Sequence, residues 1–84
     1  MAKIEVTPEA ARELRRLPLT IRARVENLLT RLQQWPAVSG ARPLTGRLAG
    51  RFRLRTGDYR LQFGLKAGAV IVEKIGHRDG FYED

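Results

Sequence analysis

His77, Arg78 and Tyr82 fall within one short stretch, Gly76-His77-Arg78-Asp79-Gly80-Phe81-Tyr82, near the end of an 84-residue chain. Histidine titrates near neutrality. Arginine stabilises charge that develops on phosphate oxygens, and tyrosine stacks on a base or moves a proton. Together these are the groups that acid–base work on a phosphodiester needs. Each also has a structural reading: a single histidine after a strand as a surface or capping residue, Phe81 and Tyr82 as tail anchors packed on a sheet, Arg78 as the ion-pair partner of Asp79 or Glu83. A second set of residues favours chemistry. Arg51, Arg53 and Arg55 alternate with Phe52 and Leu54, and Arg60 follows in the next alternating run, Tyr59-Arg60-Leu61-Gln62-Phe63.

The formal charge is +7, from 16 Lys and Arg against 9 Asp and Glu. Thirteen of the cations are Arg, which binds phosphate bidentately and stacks on bases. Residues 10–60 hold twelve Arg against Glu13, Glu26 and Asp58, a net of +9. The flanking segments are slightly acidic. Zero cysteines exclude a disulfide framework, a thiolate metal site and a cysteine nucleophile. One histidine excludes a multi-histidine zinc site. No apolar run approaches a membrane span and no signal-peptide pattern opens the chain. The expectation is a cytoplasmic chain that needs no metal or other cofactor, folded as a single domain over 1–84.

The positioning elements follow from periodicity. Lys3–Val6 alternates as a strand. Thr7, Pro8 and Glu9 are a helix start, with Thr7 as N-cap and Pro8 at the first helical position. That helix runs to about Leu17, with Ala10, Leu14 and Leu17 as its apolar stripe, and Pro18 breaks it. A second helix runs from Thr20 to Trp35, its stripe Ile21, Val25, Leu28, Leu29 and Leu32, and Pro36 ends it. Arg12, Arg15, Arg16, Arg22, Arg24 and Arg31 lie on the polar side of this helical hairpin. Residues 36–50 read as loop. Three strands follow: Arg51–Arg55, Tyr59–Phe63, and Ala69–Ile75, the last apolar enough for the interior of a sheet. Gly76 to Asp84 reads as irregular or a single helical turn. The order β-α-α-β-β-β implies an α+β fold, a mostly antiparallel sheet with the helical hairpin packed on one face.

Period two then fixes the other face. With Phe52, Leu54, Leu61 and Phe63 turned to the helices, Arg51, Arg53, Arg55 and Arg60 share the opposite side. A two-residue turn at Thr56 and Gly57 sets Arg55 opposite Asp58 and Arg53 opposite Arg60. Like charges directly opposite destabilise a sheet. Either an anion binds there or the long side chains splay into water.

With these motifs in view, the sequence resembles the RelE/ParE superfamily of toxin–antitoxin toxins, and within it the RelE-like branch. The resemblance rests on the element order, on Pro43-Leu44-Thr45-Gly46, on the run from Gly50 to Phe63, and on the run from Val72 to Tyr82. It implies the toxin of a type II system: a metal-independent endoribonuclease that cuts mRNA, commonly on the ribosome, by attack of the ribose 2′-hydroxyl. It implies mRNA, the ribosome and a cognate antitoxin as partners, with the toxin monomeric alone and hetero-oligomeric with its antitoxin. The alternative on the same fold is a ParE-like inhibitor of DNA gyrase without nuclease activity. By resemblance, Arg60 and Arg78 hold the scissile phosphate, Arg51 and Arg53 bind phosphate, and Tyr82 orients the nucleotide. RelE-type sites carry lysines that help proton transfer where this chain has Arg51 and Arg53. Arginine stays protonated, so proton transfer falls to His77 or Tyr82, and the reading takes His77.

Overall fold

Thr7 joins the first strand to the first helix. Its hydroxyl accepts from the Ala10 N–H (3.1 Å) and its own N–H donates to Val72 O (3.0 Å). One residue thus caps the helix and ties the end of the strand into the sheet. In the computed structural model, which describes residues 1–81, this is the junction of β1 (Lys3–Val6) and α1 (Pro8–Arg16). Pro18 breaks the helical run, and α2 follows at Leu19–Leu32. It stops three residues short of Trp35, because Pro36 disfavours helical backbone in the residue before it. Residues 33–36 form turns instead, which directs the Trp35 ring onto Phe52 and Phe63 (centroids 4.9 and 5.2 Å away).

The strands are β2 (Arg42–Pro43), β3 (Arg51–Thr56), β4 (Tyr59–Lys66) and β5 (Ala69–His77), with a 3-10 turn at Gly46–Leu48. The sheet order is β1-β5-β4-β3-β2. β1 runs parallel to β5 and every other pair is antiparallel. The expected α+β architecture is therefore present, and β5 lies inside the sheet as its apolar run implied. β2 breaks the expected loop. It is two residues long, contains a proline, and occupies an edge, where a missing N–H costs least.

One side of the sheet meets the helices. Leu54, Leu61, Phe63, Val70, Val72 and Ile75 bury against Ala10, Val25, Leu28 and Leu32. β1 ends at Val6, opposite Val72, so β5 loses its outer neighbour there. α1 supplies a substitute, as the Glu13 carboxylate accepts from the Ile75 N–H at 2.8 Å. A charged acceptor on a partly buried donor contributes about 1.5–3 kcal/mol. Glu13→Ala should lose about that amount in urea unfolding, and Glu13→Gln less. A Glu13→Ala variant as stable as the parent would show that water replaces the bond. No helix among the described residues is long and apolar enough to cross a membrane.

Candidate functional site

The hairpin between β3 and β4 decides which arginines meet. Thr56 pairs with Tyr59, so the turn is Gly57-Asp58 and not Thr56-Gly57. Gly57 takes φ +59°, a left-handed value suited to glycine, and this register puts it first in the turn. Two sequence-based pairings are corrected as a result. Arg55 faces Arg60, and Arg53 faces Gln62. Asp58, released from the ladder, turns to the C-terminal segment. Arg78 donates its N–H to Asp58 O (2.7 Å), and its guanidinium lies 3.8 Å from the Asp58 carboxylate and 3.7 Å from that of Asp79. Arg60 reaches the same turn, donating to Gly57 O at 3.2 Å. Arg55, Arg60 and Arg78 therefore gather at one end of the sheet, on the face away from the helices. From α2, the Arg24 guanidinium comes within 3.8 Å of where a Gly57 Cβ would stand.

The next row across that face is Arg42, Arg53, Gln62 and Lys74, each opposite its neighbour in register. Gln62 is only 7% exposed although it points away from the helical core. It lies between Arg53 and Lys74, and the tail packs beside it. Phe81 is 2% exposed and packs on Gly76, where an added Cβ would lie 3.5 Å from its ring. The Lys74 ammonium sits over the Phe81 ring, 4.7 Å from its centre, and donates to the Phe81 carbonyl. The tail-anchor reading thus describes Phe81, while Tyr82 lies outside the described residues.

The Arg51 side chain lies at the far end of the face, tied to Glu73. Its Nε and Nη2 donate to the two carboxylate oxygens at 3.0 and 3.4 Å. Arg51 is four residues from Arg60 along the ladder, about 13 Å at ~3.3 Å per residue.

A bulge in β5 redistributes its side chains. Val72 faces Phe63 while Lys74 faces Gln62, so Glu73 is the extra residue. One extra residue inverts the in–out parity of everything after it. Lys74 and Gly76 move to the arginine face, and Ile75 and His77 move to the helical side. His77 stacks edge-on against Tyr59 (5.2 Å) and accepts the Asp79 N–H on Nδ1 (3.0 Å). An accepting Nδ1 puts the neutral ring's proton on Nε2. The structure therefore brings Arg60 and Arg78 together with Arg53 nearby, holds Arg51 apart, and turns His77 to the other side of the sheet. Sequence reading missed Arg42, Glu73 and Lys74. The polar pair Glu73-Lys74 inside an apolar strand was the available sign of a bulge. Arg42 carried none.

Cations from β2, β3, β4, β5 and the segment after it converge on this face, an arrangement able to hold an anion. Residues 4–80 match the model of the ParE toxin of type II toxin–antitoxin systems, parDE. The chain belongs to the RelE/ParE toxin superfamily. By sequence and fold this toxin is similar to a chain of the RelBE2 toxin–antitoxin complex from Mycobacterium tuberculosis, with 31% identity over 92% of the toxin and 98% of that chain, TM-score 0.80. Its fold is shared by a chain of the RelB–RelE complex from Methanococcus jannaschii (18% identity, 94% and 95% covered, TM-score 0.77). It is shared too by a chain of the ParDE system of P. aeruginosa (18% identity, 92% and 96% covered, TM-score 0.74). Among proteins of curated function, no sequence matches the toxin.

Proposed function

We propose that the toxin is a metal-independent endoribonuclease that cleaves mRNA on the ribosome, in the cytoplasm, and is neutralised by a cognate antitoxin. The observation that carries this reading is the meeting of Arg60 and Arg78 at the Gly57-Asp58 turn, with Arg55 directly opposite Arg60. Like charges so placed cost stability, and a bound phosphate reverses the sign. In the reaction, the 2′-hydroxyl oxygen attacks the adjacent phosphorus and the P–O5′ bond breaks. The 2′-hydroxyl gives up its proton and the leaving 5′-oxygen gains one, leaving a cyclic phosphate and a 5′-hydroxyl. Arg60 and Arg78 hold the non-bridging oxygens as charge builds on them. Arg53 binds the neighbouring backbone, and with His77 turned to the other side of the sheet, Tyr82 both orients the nucleotide and transfers the proton. An acidic, partly disordered antitoxin that folds on binding suits the +9 midsection. The toxin alone is then a monomer.

A second reading, inhibition of DNA gyrase without nuclease chemistry, is favoured by the ParE character of the matching family model and by the turning away of His77. The two separate on induction. The ribonuclease reading expects new 5′ ends by primer extension within translated mRNA, fewer on the same mRNA left untranslated, and unchanged plasmid supercoiling. Lost supercoiling with intact mRNA would establish the gyrase reading instead.

A further inference from the structure

Glu73 is out of place on a face built to hold anions. It lies on β5 and its partner Arg51 on β3, with β4 between them. Strands are ~4.8 Å apart, so the pair reaches across roughly 10 Å of sheet. It crosses over Gly64, which faces Arg51 on one side and Ile71 on the other. A Cβ at Gly64 would stand 3.5 Å from Arg51 Cγ and 3.8 Å from Glu73 Oε1. A Cβ alone would only touch the pair, whereas a branched side chain there would have to push it off the strand. Side-on bonding through Nε and Nη2 makes guanidinium and carboxylate coplanar. The Gln62 amide also reaches Glu73 Oε1 at 3.5 Å. The result is a flat, charge-neutral plate. Above it opens a groove of about 550 Å³, walled by Ile71 with Lys66 at its rim.

We propose that this groove seats one nucleobase of single-stranded RNA, stacked on the Arg51–Glu73 plate beside Ile71, with the Lys66 ammonium on an adjoining phosphate. The inference rests on the ribonuclease reading above and changes the part Arg51 plays in it. A guanidinium already neutralised by a carboxylate has little charge left for a phosphate, but its delocalised plane still stacks on a base. The seat is about 13 Å from Arg60 along β4, so the stacked base belongs to a nucleotide displaced from the one being cut. Stacking tolerates any base, so this is a subsite for register and affinity and does not read sequence.

The test is fluorescence anisotropy at low salt with a 2′-O-methyl RNA hexamer, which has no attacking hydroxyl, and with the same backbone made abasic. The toxin should bind the base-bearing hexamer at least about fivefold more tightly. Glu73→Ala should bring that ratio close to one, while binding of the abasic backbone stays level or tightens, because a negative charge has gone. Gly64→Val lifts the pair off the strand without changing charge, and should also collapse the ratio. Wild-type discrimination in both folded variants, or no discrimination in the parent, overturns the base seat. If both hexamers bind equally and Arg60→Ala weakens both, only the seat fails. If neither binds at low salt, the ribonuclease reading fails with it.

Discussion

Arg60→Ala, and separately Arg78→Ala, should relieve growth arrest and lower mRNA cleavage about a hundredfold or more while the fold survives. Removing one preorganised donor from a developing oxyanion typically costs ~10²–10³ in rate. Both guanidiniums act at one place, the Gly57-Asp58 turn, so their losses should not add fully. Arg60→Lys keeps the charge but loses the planar fork, and should fall between parent and alanine variant. The stability readout moves the other way. Arg60 faces Arg55, and like charges opposite each other in a sheet destabilise by a few tenths of a kcal/mol. Arg60→Ala should therefore melt no lower than the parent, and slightly higher at low salt. Arg78 is 59% exposed in its side chain, and the guanidinium's carboxylate neighbours among the described residues, Asp58 and Asp79, are exposed too, so truncating it costs the fold little. If both alanine variants stay folded and fully toxic, phosphate is not held at this turn.

The residues show why the sequence disclosed the face but not its arrangement. Alternation from Arg51 to Phe63 depends only on the pleat, so which side each arginine takes was legible from residue types. Register depends on where one backbone position has positive φ, and Gly57 fits either of two turns. Choosing the wrong one moved the like-charged pair from Arg55–Arg60 to Arg53–Arg60. The bulge at Glu73 had a larger effect. Counted straight from Val70 and Val72, which face the helices, Lys74 and Gly76 would be inside and His77 would join the arginines. One unpaired residue exchanges them. His77 thereby faces Tyr59, and Lys74 becomes a cation of the outer face. The Arg51–Glu73 pair was illegible for a related reason, since it joins two strands with a third between them. The helices were legible because Thr7, Pro8, Pro18 and Pro36 act locally.

The same strand carries the largest expected effect on stability, three residues from Arg60 and on the opposite side. Phe63→Ala should leave the toxin largely unfolded at physiological temperature. Phe63 is 0% exposed, on the central strand of the sheet, with its ring against both Trp35 (5.2 Å) and Phe52 (5.5 Å). Truncating a buried phenylalanine costs ~3–5 kcal/mol, from lost transfer energy and from the cavity left behind. A domain of this length has roughly 4–13 kcal/mol in total, at ~0.05–0.15 kcal/mol per residue. The aromatic cluster also anchors Trp35 at the end of α2, so its neighbours cannot close the gap without moving the helix. Phe63→Leu keeps most of the volume and should remain folded with a lowered urea midpoint. Both Phe63→Ala and Arg60→Ala are expected to abolish toxicity, but far-UV circular dichroism separates them: the first loses its folded spectrum and the second keeps it. A Phe63→Ala protein that melts within a few degrees of the parent would mean that this cluster does not hold the sheet to α2. The arginine face would then be positioned by the hairpin alone.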